Sequence, residues 1–324
     1  MTAFVTGGSG FIGGRLIERL VADGVGVRAL ARSDRAAAAV EARGAEAVRG
    51  DLADVDAITA GAQGCDTAYH LAAKVEMWGA WDDFVRDNVT GTQNVLAATK
   101  AAGVARFVHC GTEAALIAGE PLRNVDETAP LRPESPAPYA ATKARAEQEV
   151  RAANRDGFET VVVRPRFVWG AGDTTLLPSM VEMVKSGRFA WIGGGKQLTD
   201  VTHVDNVVEG LLLGARNGRG GDAYFVTDGE PVIFREFVSA LLETQGVAAA
   251  PSRSIPTWVA GPLAADCEGL WRATPLPGQP PLTRFTYWVS SQECTIDIGK
   301  ARRELGYRPV KGRAEGLAEL GRIS

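Results

Sequence analysis

Thr2-Ala3-Phe4-Val5-Thr6, then Gly7-Gly8-Ser9-Gly10-Phe11-Ile12-Gly13, then Gly14-Arg15-Leu16-Ile17-Glu18-Arg19-Leu20: an apolar strand enters a tight glycine turn and leaves as an amphipathic helix. Gly8, Gly10 and Gly13 satisfy G-x-G-x-x-G, and Gly7 adds the G-x-x-G-x-x-G spacing. Such a turn presents backbone N–H groups and a helix N-terminus to a pyrophosphate. Glycines at these intervals also occur in ordinary strand-to-helix turns, and the strand before and helix after are what separate the two readings. The stretch predicts a nucleotide site on a parallel α/β sheet.

Working outward, strands are expected at 25–30, 45–48, 67–71, 106–110 and 160–164, alternating with helices at 36–43, 53–62, 82–102 and 139–155. That rhythm implies an α/β, doubly wound parallel sheet with helices on both faces. Residues 113–138 read as a loop carrying Pro121, Pro130, Pro133 and Pro136; a loop of that length inside a compact domain is usually functional. Pro165 is expected to break the sixth strand. Beyond it the rhythm changes, with helices near 177–186 and 205–215, a strand at 223–226, and a tail over 255–286 rich in Pro and Trp with little periodicity. The expected division is a dinucleotide-binding domain over 1–165, with elements around 200–226 returning to it, and a mainly substrate-binding domain over 166–324.

The 324 residues are 45% hydrophobic and 23% charged with a net charge of −4, an ordinary globular balance. Without a Lys/Arg cluster, nucleic acid is not an expected partner, because phosphate neutralisation supplies most of that affinity. The four cysteines have no C-x-x-C spacing, which fits a reducing, cytoplasmic setting. No leader peptide is expected, since the first residues already read as a strand. The apolar run Ile255–Ala265 falls short of a membrane span and holds Pro256 and Pro262; a lid over an apolar ligand or a membrane-surface contact are the roles left open.

Tyr139-Ala140-Ala141-Thr142-Lys143 puts a phenol and an ammonium on one face of one helical turn. A nearby cation favours the phenolate, which suits the pair to moving a proton on and off an alcohol. The spacing alone also describes a surface tyrosine beside a solvated lysine; its position after a nucleotide turn and a fifth strand favours the chemical reading. Thr112, just past that strand at the crevice edge, can offer its hydroxyl to a substrate oxygen.

Together these features resemble the extended short-chain dehydrogenase/reductase superfamily, over nearly the whole chain. The resemblance rests on the glycine turn, Gly50-Asp51-Leu52, His70-Leu71-Ala72-Ala73, Asn88-Val89-Thr90-Gly91-Thr92, Tyr139 with Lys143, Arg164-Pro165, His203-Val204-Asp205-Asn206-Val207, and the 297–309 segment. Within it the chain is most similar to the branch of 3β-hydroxysteroid dehydrogenases and sterol-4-carboxylate 3-dehydrogenases. What the resemblance implies is a Rossmann sheet and an NAD(P)-dependent interconversion of a secondary alcohol and a ketone on a bulky apolar substrate. By the same resemblance Tyr139, Lys143, Thr112 and Asn88 are the catalytic set. Gly7, Gly10, Phe11, Ile12, Gly13, Arg32, Asp51, Leu52, Leu71, Ala72, Ala73, Lys143 and Pro165 line the cofactor, with Asp51 on the adenine and Ala72 and Ala73 beside the nicotinamide. His203 reads as structural rather than catalytic, no metal is implied, and a homodimer is the expected assembly.

Two positions depart from the superfamily pattern. Where NAD-using members often end the second strand with an acid, this chain has Ala31 and then Arg32, which makes NADP the first choice and NAD, through Asp34, the second. Gly111-Thr112 stands where many relatives carry paired serines. The rival readings are a nucleotide-sugar epimerase or dehydratase with tightly held NAD, and a cofactor-binding protein without catalysis.

Overall fold

The computed structural model describes residues 1–247, 253–274 and 276–323. Its central sheet has seven parallel strands: β1 (Thr2–Thr6), β2 (Gly26–Ala31), β3 (Glu46–Arg49), β4 (Thr67–His70), β5 (Arg106–Cys110), β6 (Glu159–Pro165) and β7 (Ala223–Val226). They lie in the order β7-β6-β5-β4-β1-β2-β3. The order reverses direction at β1, so a crevice opens at the carboxyl ends of β1 and β4, where ligands of such sheets sit.

Strand alternation feeds two cores. Ala3 and Val5 of β1 pack with Val161 and Val163 of β6 on one face, and Phe4 packs with Phe107 and Val162 on the other. Helices α1 (Phe11–Ala22) and α2 (Asp34–Glu41) cover the first face, and α3 (Val55–Ala62) the second. The expected long helix after β4 is interrupted: α4 (Trp81–Phe84) passes through a π-turn at Val85–Thr90 into α5 (Gly91–Ala101). Leu96 and Val95 of α5 and Val150 of α6 (Pro138–Ala152) join the second core. Leu211 and Val207 of α8 (Val204–Asn217), which follows α7 (Leu176–Lys185), join the first. So do Ile298, Ala301, Leu305 and Tyr307, a return to the first core that the sequence pattern does not announce.

Three more expectations are corrected. The strand is not broken at Pro165, which is its last residue and pairs with Val226; the β5 ladder ends two residues earlier, at Cys110 opposite Val163, so the missing N–H deprives no neighbour. Residues 113–138 are not all loop: Glu113–Leu116 is a 3₁₀ turn, and Leu122–Val125 is a strand parallel to Cys294–Ile296 in a four-stranded sheet. The tail is largely helical. After α9 (Phe234–Glu243) come α10 (Thr257–Ala273), α11 (Arg284–Ser291) and α12 (Arg313–Ile323). Pro256 sits just outside α10, where proline is tolerated. Pro262 falls inside it, on an exposed side where water can satisfy the freed Trp258 carbonyl. Pro275, within the same tail, lies outside the described residues.

Candidate active site

The glycine turn is held by close approach. Gly7 has φ +74°, and a Cβ there would come within 2.6 Å of the Ala72 backbone nitrogen. A Cβ on Gly13 would lie 2.2 Å from the Gly7 carbonyl oxygen, so only a glycine fits at this position in the first turn of α1. Thr6 binds the two loops: its carbonyl accepts from Leu71 N at 3.2 Å, and its hydroxyl oxygen accepts from Ala72 N at 3.3 Å. At the N-terminus of α1 no side chain caps the first turn and no acid sits in it. The free N–H groups and the positive end of the helix dipole therefore face the crevice, which fits a pyrophosphate. Phe11 and Ile12 are half-buried there, and the Phe11 ring lies against Gly172.

At the adenosine end, Arg32 is exposed just past β2, and its side chain has no hydrogen-bond or ion-pair partner among the described residues. Asp34 is engaged by Arg49 at 2.6 Å. Asp51 is exposed and uses one carboxylate oxygen to accept from Ala53 N at 2.7 Å. Leu52 is half-buried, and a Cβ on Gly91 would touch it at 2.8 Å. Leu71, Ala72 and Ala73 are half-buried along the crevice wall.

The reactive side chains come from the end of β5 and the first two turns of α6. Lys143 is buried, and its Nζ donates to Cys110 O at 2.9 Å and to His109 Nε2 at 3.2 Å. His109 therefore carries its proton on Nδ1, an atom buried without a partner. Burial holds the pKa of His109 well below the usual histidine range, with the Lys143 charge adding to it, and lowers that of Lys143 itself. His70, beside His109, sits between the hydroxyls of Thr6 (2.7 Å) and Thr92 (2.9 Å). Because Thr92 donates to Asn88 O at 2.6 Å, it must accept from His70 Nε2. Asn88 lies in the π-turn, accepts from Lys74 N at 2.7 Å and donates to Thr142 Oγ1 at 3.1 Å. It ties the loop after β4 to α6 and touches neither Tyr139 nor Lys143 through these bonds.

Tyr139 is half-buried, its ring edge-on to Phe285 of α11 with centroids 5.6 Å apart. The expected fall in its pKa is reversed. Burial pushes the phenol well above its ordinary value, the Glu113 carboxylate adds to that, and the nearby Thr112 hydroxyl works the other way. Lys143 does not offset burial because its ammonium is turned to Cys110 and His109. Thr112 likewise differs from expectation: its hydroxyl donates to Glu113 Oε2 at 2.9 Å instead of pointing freely into the crevice.

Around Tyr139, Ile117, Tyr287 and Trp288 join Phe285 in an apolar cluster. Of the late tryptophans, Trp169 and Trp191 are core residues, Trp258 is 78% exposed and Trp271 is half-buried in α10, while Trp288 packs in the cluster with Tyr139. His203 caps α8 by accepting from Asp205 N at 3.2 Å. It could share a metal ion with Asp205 and Glu319, but Arg15 and Lys311 already pair with those carboxylates, at 2.6 and 3.2 Å. Sequence reading missed Glu113, His109 and Arg166. The signal was a charged or polar residue inside an otherwise apolar run: His109 between Val108 and Cys110, and Glu113 before Ala114-Ala115-Leu116-Ile117.

A model of the 3-beta hydroxysteroid dehydrogenase/isomerase family matches residues 4–257. The chain is 47% identical to the 4-hydroxy-2-methyl-3-oxo-4-farnesyl-3,4-dihydroquinoline-1-oxide ketoreductase of Stigmatella aurantiaca, over 99% of this chain and 96% of that one. It is 39% identical to the 2-alkyl-3-oxoalkanoate reductase of Stenotrophomonas maltophilia, over 99% and 98%. Among solved structures, the dTDP-glucose 4,6-dehydratase DesIV of Streptomyces venezuelae, with NAD and TYD bound, superposes with a TM-score of 0.78 at 27% identity, covering 99% of this chain and 96% of that one.

Proposed function

The chain belongs to the 3-beta hydroxysteroid dehydrogenase/isomerase family, and from that premise we propose that it interconverts a secondary alcohol and a ketone on a bulky apolar substrate, with NADP as the preferred cofactor. What carries the reading is the gathering of Tyr139, Thr112 and Lys143 at the carboxyl edge of the sheet, beside an uncapped glycine turn. A bound nicotinamide supplies or takes the hydride. Tyr139 gives its proton to the ketone oxygen or takes it from the alcohol. Lys143 commits two of its three protons to Cys110 O and His109 Nε2, and the third is left for a ribose hydroxyl.

The apolar cluster of Ile117, Phe285, Tyr287 and Trp288 supports an apolar substrate. The ketoreductase relatives favour this chemistry over that of a sugar-nucleotide enzyme. Arg32, exposed and without a partner among the described residues while Asp34 is engaged by Arg49, supports a 2′-phosphate at the end of β2. No helix among the described residues is long and apolar enough to cross a membrane, and four free cysteines favour a reducing, cytoplasmic location. In this reading residues 1–165, with 200–226, hold the dinucleotide, and the later helices hold the substrate.

The test is Tyr139→Phe. Turnover of a ketone panel should fall by about a hundredfold or more, while the dissociation constant for NADPH stays within about twofold. Normal turnover in that variant would remove the reading.

A further inference from the structure

Glu113 is buried directly behind the reactive hydroxyls. Its Oε2 accepts from Thr112 Oγ1 at 2.9 Å, and its Oε1 accepts from Arg166 Nη1 at 2.5 Å. Arg166 is itself buried and fixed by Thr199 Oγ1, to which its Nε and Nη2 donate at 3.3 and 3.1 Å. The carboxylate therefore cannot swing away, and both of its oxygens have assigned partners.

This fixes a direction. A hydroxyl has one proton, and that of Thr112 goes to Glu113, while Ala114 N donates to Thr112 Oγ1 at 3.2 Å. While the carboxylate holds that proton, Thr112 has none to give to a Tyr139 anion. If the carboxylate were absent, the same proton would be free to turn to Tyr139 and stabilise its anion.

We propose that Glu113, held by Arg166, is a positioning residue for the proton donor: it takes the Thr112 proton, which is then not available to a Tyr139 anion, and so keeps the phenol protonated and ready to deliver to a ketone. The proposal rests on the oxidoreductase reading of Tyr139 and adds to it a bias towards reduction. Of the groups facing the phenol, the Thr112 hydroxyl favours its anion, and the proton it would use for that is held by Glu113. Glu113 and Cys110 both disfavour its anion, Lys143 on the same helix spends its charge on Cys110 O and His109, and Arg166 is shared among Glu113, Asp200 and Cys294.

Glu113→Gln reverses the contact, since the amide can donate to Thr112. The phenol of Tyr139 is then titrated in the cofactor-free protein by ultraviolet difference absorbance against the matching Tyr139→Phe background. The expected result is about tenfold more phenolate at a given alkaline pH than in wild type. The alkaline fall of kcat for ketone reduction should move to lower pH by the same factor, and Glu113→Asp should restore the wild-type profile. Should Glu113→Gln not fold, because Arg166 is left without its carboxylate, the double variant Glu113→Gln/Arg166→Gln removes both charges and is expected to show the same shift. Unmoved titration and pH profile, with Tyr139→Phe inactive, would overturn the role of Glu113 alone. Normal turnover by Tyr139→Phe would instead remove the reading beneath it.

Discussion

Two buried arginines two residues apart, Arg164 and Arg166, each meet a buried glutamate, and the two pairs do different work. Arg164, inside β6, binds Glu147 of α6 through Nε and Nη2 and lies over the Phe225 ring, 5.0 Å from its centroid. Every partner in that pair is framework. Arg166 stands just past the strand, and its glutamate, Glu113, ends on the Thr112 hydroxyl. A buried ion pair gains little net stability over a well-packed apolar substitute, although losing one partner is costly. The difference teaches that what such a pair contributes depends on what its second carboxylate oxygen touches: more of the pair itself in one case, a reactive hydroxyl in the other.

The largest break in this comparison is Glu147→Ala. It strands the Arg164 charge inside the sheet and should cost roughly 3–5 kcal/mol of unfolding free energy in a denaturant titration. The kcat of the remaining folded protein and its pH dependence should be unchanged; an altered pH profile would erase the distinction between the pairs.

A second test uses the neighbouring buried histidines. Burial holds His70 near a pKa of about 3 and His109 well below the usual range, so both stay neutral in the folded protein. The unfolded chain takes up their protons as pH drops through about 6.5. Stability is therefore fully present above that pH and is lost on acidification, at up to roughly 1.4 kcal/mol per pH unit for each histidine. Melting temperatures between pH 7 and pH 5 check this, and His70→Asn should flatten the slope.

The smallest effect belongs to a third arginine, which is exposed. Arg32→Ala should leave stability unchanged and lower the kcat/KM preference for NADPH over NADH by about tenfold, roughly 1.4 kcal/mol. Equal preference in wild type and variant, or a wild-type preference for NADH, would assign the end of β2 to NAD.

What the sequence made legible is local. Gly7 needs its positive φ and Gly13 its close approach to the Gly7 carbonyl, both inside one strand-turn-helix unit, so their spacing marks the turn. Tyr139 and Lys143 are one helical turn apart and share a face wherever that helix sits. The sheet followed from the alternation of apolar strands and helices. The direction of the Thr112 hydroxyl was not legible, because it depends on Glu113 meeting Arg166 across 53 positions. The phenol's raised pKa was missed for a related reason: Lys143 was counted as its partner, and the partner of Lys143 turned out to be a strand carbonyl and His109. In the tail, prolines at the start and on the wet side of α10 masked a helix that tolerates both.

The pairing of Leu122–Val125 with Cys294–Ile296 has a consequence for biosynthesis. The segment just downstream of Thr112 is anchored by residues made about 170 positions later, and Tyr307, whose hydroxyl donates to Thr227 O at 2.8 Å, seals the first core from later still. A nascent chain still on the ribosome can form its glycine turn early, yet the walls around the phenol close only when synthesis is nearly complete. Truncation at the far end should therefore silence chemistry seated near the middle of the chain.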